Sequence, residues 1–311
     1  MKKKQCRIVD TYNDFLIFWA NSCSKNVDEQ VRLWKVDYMR KYPELLEKQV
    51  KDYEEMKIDS QVVAKKTMLS LPQRLKLMQR ARENILQVCK PIYSEAVERL
   101  NLDFGITFVI YVGIGCGAGW ATRYGSQPAI LLGLENIAEE KWHTKTKLEG
   151  MMCHEIGHLA HMEWRDEWGS FDKDCDNPFF RLYAEGFATR CEQLILRDNS
   201  WHMAPNRRWL SWCQQHKGWL AREFLTKLEN GASLNDFFGS WFSVQGRKQS
   251  GYFLGHAFIR ELEKIYAWRR IALLDFKNVG RLGEEYLKSV SIENRTQIKG
   301  EKTSRITNNK R

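Results

Sequence analysis

His154, Glu155 and His158 stand in the order His154-Glu155-Ile156-Gly157-His158, and these residue types at this spacing define a chemistry. On a helix, residues four apart lie one above the other. Two imidazoles so placed can turn their Nε2 atoms toward one tetrahedral ion. A zinc ion held this way lowers the pKa of its water to about 7. The carboxylate of Glu155 can then take a proton from that water and pass it to a leaving amine. The expectation is hydrolysis with one Zn2+ per chain, His154 and His158 as metal ligands and Glu155 as general base.

The helix that must carry these residues is written around them. Thr146 and Glu149 have capping-box spacing and predict a helix start about two turns before His154. At about 100° per residue His158 and His161 fall close to His154 on one face, and Leu148, Met152, Ile156 and Leu159 form a separate apolar stripe. Gly150 and Gly157 border the histidine face, where missing side chains let another segment come close. Glu155 stands between the core stripe and the histidines.

A catalytic ion needs a third protein ligand and an open position. His161 shares the face, but the helical rise displaces it about 10 Å from His154, too far for one ion to reach all three; it is read as a group that supports a metal ligand from behind or faces the substrate. Glu185 is the remaining candidate. It lies in Leu182-Tyr183-Ala184-Glu185-Gly186-Phe187-Ala188-Thr189, on a helix that a short loop can fold back, among small residues that permit close helix approach. Thr189, one turn further, can offer its hydroxyl to a metal-bound imidazole. An ordinary surface glutamate is the plainer reading of Glu185.

Positioning these residues requires helices and a small sheet. Residues before 101 read as helices, with a long polar-rich one bent near Pro43 and another opening at Ser70 and Pro72. Ile106 to Val112 is β-branched and aromatic and predicts a strand; residues 129–134 predict a second. The glycine-rich stretch 113–119 between them matches neither Gly-x-Gly-x-x-Gly nor a phosphate-binding loop, and reads as a flexible connection approaching a cleft. Beyond residue 146 helices are expected over about 146–164, 178–197, 207–229, 248–268 and 278–289.

A strand pair, the His-Glu-x-x-His helix and a glutamate on the following helix together resemble the gluzincin, or thermolysin-like, metallopeptidases, and within them uncharacterised bacterial proteins regarded as zinc-dependent proteases. The specific part of the likeness covers about residues 106–266. It implies zinc on His154, His158 and Glu185, with Glu155 as base. It also implies that the strand carrying Ala129, Ile130, Leu131 and Leu132 is an edge strand that pairs with an extended peptide substrate. A Tyr or His that steadies the oxyanion is implied too, and Tyr252 or His256, neighbours on one face beside Gly251 and Gly255, is where to seek it. Two departures stand out: Thr189 replaces the Asp many members carry there, and the ligand spacing is longer than in thermolysin. The metzincin pattern fails, because it needs Gly and His where this chain has His161 and Trp164.

The fold class expected is α+β, mostly helical and zincin-like: a small sheet packed on the metal helix, with helical N- and C-terminal parts forming a cleft. Domain bounds are 1–101 (N-terminal helical region), 102–290 (catalytic domain) and 291–311 (basic, disordered tail). A net charge of +10 is concentrated partly at the two ends and shows no basic stripe with interleaved aromatics, so it reads as solvated surface rather than a nucleic-acid site. Eight cysteines without a Cys-x-x-Cys pair fit a reducing compartment, and the expected location is cytoplasmic, without membrane insertion. The acidic run from Asp166 to Asp176 begins like a calcium loop but has Asn177 and Tyr183 where glycine and glutamate belong. It reads as a solvated loop or an acidic rim. The competing function is a non-catalytic binding or regulatory protein on the same scaffold, against which the intact Glu155 counts.

Overall fold

The computed structural model describes residues 4–169, 171–238 and 242–308. The chain divides into two compact units, residues 1–159 with 192–202, and residues 160–191 with 203–311.

The first unit holds the sheet. Its strands are β1 (Cys6–Asp10), β2 (Ile106–Tyr111), β3 (Trp120–Tyr124) and β4 (Gln127–Gly133), in the order β1-β2-β4-β3. β1 and β4 run parallel to β2, and β3 returns antiparallel to β4. Every residue of β2 is buried, which is what its unbroken β-branched and aromatic run demands, since a strand between two others and covered on both faces has no side for polar residues. The sheet corrects two expectations. β1 was absent from the helical reading of residues 1–101, yet it pairs with β2 through Ile8 opposite Phe108. Ala129, Ile130, Leu131 and Leu132 were expected on an edge strand, but β4 lies between β2 and β3 with both its edges occupied. The edges belong to β1 and β3. A short apolar run suits an inner strand better than an edge, where exposed main-chain groups are usually guarded by polar side chains.

Helices α1 (Tyr12–Ser22), α2 (Val27–Leu33) and α3 (Pro43–Glu55) lead into α4 (Ser60–Leu100). A π-helical stretch, Trp34–Tyr38, and a single 3-10 turn, Met39–Lys41, fill the bend before Pro43, which occupies the first turn of α3. Tyr38 and Trp34 tie this bend to the sheet: the Tyr38 hydroxyl accepts from Val112 N–H at 3.0 Å, and Trp34 Nε1–H donates to Val112 C=O at 3.0 Å. α4 is capped by Asp59, whose Oδ1 accepts from Gln61 N–H, and ends at Asn101 in the left-handed conformation. It starts ten residues before the predicted cap at Ser70; that hydroxyl donates to Thr67 C=O within the helix instead. Pro72, read from sequence as the first turn, and Pro91, read as a kink, both lie inside the helix.

After β4 come α5 (Leu134–Glu139) and α6 (Lys145–Arg165), then α7 (Phe171–Asp174) and α8 (Pro178–Leu196); α6 and α8 each contribute residues to both units. The second unit continues with α9 (Arg207–Gln215), α10 (Lys217–Glu229), α11 (Asn235–Phe238), α12 (Ser250–Leu262), α13 (Trp268–Ala272) and α14 (Phe276–Asn308). The single helix expected over 207–229 is broken at His216, and the one over 248–268 ends at Leu262. α14 continues to Asn308. α10 packs on α14, and α8 and α12 cross backbone to backbone at Gly186 and Gly255.

Among the described residues no helix is long and apolar enough to cross a membrane.

Candidate metal centre

α6 places the two histidines as its period requires. The chain enters it at Thr144, whose carbonyl accepts from Leu148 N–H at 3.0 Å, so the helix begins slightly before the predicted capping box. The buried side of α6 includes Leu148, Met152, Ile156 and Leu159, all without exposure. On the other face His154 Nε2 and His158 Nε2 lie 3.1 Å apart, with their rings at 80°. Two imidazole nitrogens on one tetrahedral zinc stand about 3.3 Å apart, given bonds of about 2.05 Å. The pair therefore fits the spacing a shared ion imposes. His154 is 3% exposed and His158 half-buried, so the second reaches toward the more open side.

Glu155 is anchored by the sheet. Its Oε2 accepts from Ala121 N–H on β3 at 3.0 Å. Because Ala121 donates to Glu155, its main-chain edge points away from β4, and alternation along the strand turns Arg123 the same way. The outer edge of β3 thus faces the general base expected from sequence. Gly119, just before the strand, makes room for that carboxylate: a Cβ there would stand 2.9 Å from Glu155 Cγ and 3.0 Å from Oε1.

The glycine-rich stretch between β2 and β3 is held rather than flexible. Buried Glu135 accepts from Gly113 N–H at 2.8 Å and Gly115 N–H at 3.2 Å, while Gln49 Oε1 accepts from Ile114 N–H at 3.2 Å. Tyr53 donates to Ile114 C=O at 3.0 Å. Gly115 and Gly117 have φ of +99° and +156°, conformations that side chains rarely adopt. Burial pushes the Glu135 carboxyl up to about 7, against the pull of the two glycine N–H groups and Arg74.

A second group, absent from the sequence reading, adjoins His154. Glu192, on α8, and His202, on the segment after it, have donor atoms within 4.8 Å of a His154 nitrogen and of each other. His202 Nδ1 is 2.8 Å from Glu192 Oε2, and the His202 ring meets His154 at 5.1 Å between centroids. Burial alone would raise the Glu192 carboxyl; His202, a hydrogen bond from Ser200 and the nearby His154 hold it below the usual range. Gly150 supplies the space: a Cβ there would come within 2.7 Å of Glu192 Oε1 and of His202 Cβ. The close approach expected at Gly150 is made by this segment. Glu192 was legible in principle, since it lies seven residues after Glu185 on the same face of α8; His202 follows an irregular loop and has no periodicity to betray it.

In the second unit α8 begins where Asn177 Oδ1 accepts from Phe179 N–H at 3.0 Å and Phe180 N–H at 3.1 Å. The residue standing at the glycine position of the supposed calcium loop is thus a helix cap. The Asp172 side chain lies outside the described residues. Glu185 is half-buried. Next to it Gly186 meets Gly255 of α12, an approach that a Cβ on either would block. The small residues around Glu185 therefore serve a helix crossing. Thr189 donates its hydroxyl to Glu185 C=O at 2.8 Å, committing the proton to the backbone of its own helix. His161, expected behind a metal ligand or beside the substrate, is fully buried among Phe171, Phe180, Tyr183 and Phe187, with centroids from 4.5 to 6.3 Å. These are core contacts. Tyr252 and His256 are half-buried on α12, flanking Gly255, and the Tyr252 ring lies 6.0 Å from Phe238.

No family model matches this chain, and no curated protein or solved structure matches it.

Proposed function

We propose that the protein is a zinc-dependent peptidase of the gluzincin kind, with His154, His158 and Glu185 holding the ion and Glu155 as general base. One observation carries the reading: the two Nε2 atoms converge at 3.1 Å on a face whose neighbouring carboxylate, Glu155, is tethered to an edge-strand N–H. Glu185 is preferred to Glu192 as third ligand for two reasons. The Glu192 carboxylate already takes hydrogen bonds from Ser200 Oγ–H and His202 N–H and contacts His202 Nδ1. It is also fully buried, whereas Glu185 is half-buried, as an ion with an open position requires.

Zinc, when bound, supplies Lewis acidity that makes water acidic near neutral pH and polarises a carbonyl. The remaining work falls to the chain. Ala121 N–H holds Oε2 of Glu155, which fixes the carboxylate and directs Oε1 to receive a proton and return it to the leaving amine. The outer edge of β3 adds an extended peptide as a further strand, bringing a peptide bond past Glu155. Tyr252 or His256 donates to the negative charge that develops on the substrate oxygen. All eight cysteines are free thiols, which suits a cytoplasmic location.

The test is metal analysis with peptide hydrolysis. Purified protein should hold one zinc per chain, and absorption at the zinc edge should report two imidazoles and a carboxylate. Hydrolysis of a peptide library should be blocked by a chelator and fall by about 10²–10⁴-fold in Glu155→Gln with zinc retained. Zinc bound without hydrolysis of any library member would overturn the peptidase reading in favour of a non-catalytic protein on this scaffold.

A further inference from the structure

Glu192 is a carboxylate with no exposed surface, and burying such a group costs several kcal/mol unless it is fully hydrogen-bonded. The chain around it is arranged to keep it there. Ser200 Oγ–H donates to Oε1 at 2.6 Å and His202 N–H donates to the same oxygen at 2.8 Å, while Oε2 meets His202 Nδ1 at 2.8 Å. His202 is itself fixed from several sides. Lys147 Nζ donates to its carbonyl at 2.5 Å, Trp142 packs edge-on against its ring at 5.1 Å, and the ring meets His154 on another side. Gly150, one turn before His154, keeps the space open, because a Cβ would collide with Glu192, His202 and Ser200. A stretch meant only to cover α6 could do so with apolar residues and no buried charge.

We propose that Glu192 and His202 form a buried positioning dyad for His154, packing against its ring and so fixing the orientation in which it meets a metal; the proposal rests on the zinc reading above. Carboxylates and imidazoles behind a ligating histidine act in this way, and losing them typically costs 10–100-fold in metal affinity. The effect of Glu192 and His202 passes through the ring of His154, whose donor atom lies within 4.8 Å of theirs. The dyad accounts together for the glycine at 150, the buried carboxylate on α8 and the closely held loop 198–202.

The experiment compares the full-length wild type with Glu192→Gln and Ser200→Ala. Zinc affinity is read by competition with a chromophoric chelator, the visible spectrum of the cobalt(II)-loaded protein reports ligand geometry, and circular dichroism of the metal-free protein reports folding. Glu192→Gln keeps the shape and removes the charge; it should lower zinc affinity by about 10–100-fold and shift the cobalt bands. Ser200→Ala leaves the carboxylate and its His202 partner in place, so it gives a readable folded variant even if Glu192→Gln does not fold. It should lower affinity measurably but less. Wild-type affinity and spectrum in Ser200→Ala and in folded Glu192→Gln would overturn the dyad while leaving the metal site standing. Wild-type protein that binds no zinc would overturn both.

Discussion

Gly119 precedes β3 by one residue and lies directly against Glu155. An added methyl would stand 2.9 Å from Glu155 Cγ, 3.2 Å from Cδ and 3.0 Å from Oε1, where carbon atoms at rest keep about 3.5–4.0 Å. In Gly119→Ala the carboxylate must therefore retreat by about 0.5–1 Å, stretching the 3.0 Å hydrogen bond from Ala121 N–H. The atoms met belong to a flexible side chain rather than to backbone, so the fold should absorb the change within about 1 kcal/mol, helped by the lower chain entropy of alanine in the unfolded state. Catalysis should not absorb it. A misplacement of about 1 Å at the reacting groups costs on the order of 10²-fold. The assay is kcat/KM on a peptide that the wild type cleaves, with Glu155→Gln as the blank, alongside zinc content and thermal midpoint. The expected result is full zinc, a midpoint near wild type and roughly 10²-fold lower kcat/KM. A Gly119→Ala protein within threefold of wild-type kcat/KM would refute the placement of Glu155 as the base held beside β3.

Gly255→Ala drives a methyl into the Leu182 carbonyl and to within 3.0 Å of Gly186 N; because backbone is struck, the loss should reach at least about 1–3 kcal/mol by denaturant unfolding, and wild-type stability would count against the α8–α12 crossing. Glu135 gives a pH signature. Its carboxyl, raised by burial from the ordinary 4.5 to about 7, binds its proton more tightly folded than unfolded, so its contribution is complete below about pH 4.5 and is lost as pH rises through 7. The shift corresponds to about 3 kcal/mol. Unfolding free energies measured at pH 5 and pH 8 should show this fall in the wild type, and Glu135→Gln should flatten it; an equal fall in the variant would assign the titration elsewhere.

The sequence alone determined the helix of His154 and His158, because helical period is a local property: four residues bring two side chains together whatever the rest of the chain does. The convergence of the two Nε2 atoms, the apolar stripe behind them and the need for space at Gly150 were all legible there. So were β2 and β4 as strands, from their composition. Which strand forms an edge was not, because strand order depends on pairings between residues far apart in sequence: β1 reaches β2 across nearly a hundred residues, and β3, mixed in polarity and half-buried throughout, carries no run of apolar residues to announce it. The same limit hid Glu192 and His202. A buried carboxylate and an exposed one look alike in sequence; only the folding of residues 192–202 over Gly150 shows that this one is enclosed. Tertiary structure also assigned His161 to an aromatic core, although it shares the helix face of His154, since a face longer than two turns passes from one set of neighbours to the next.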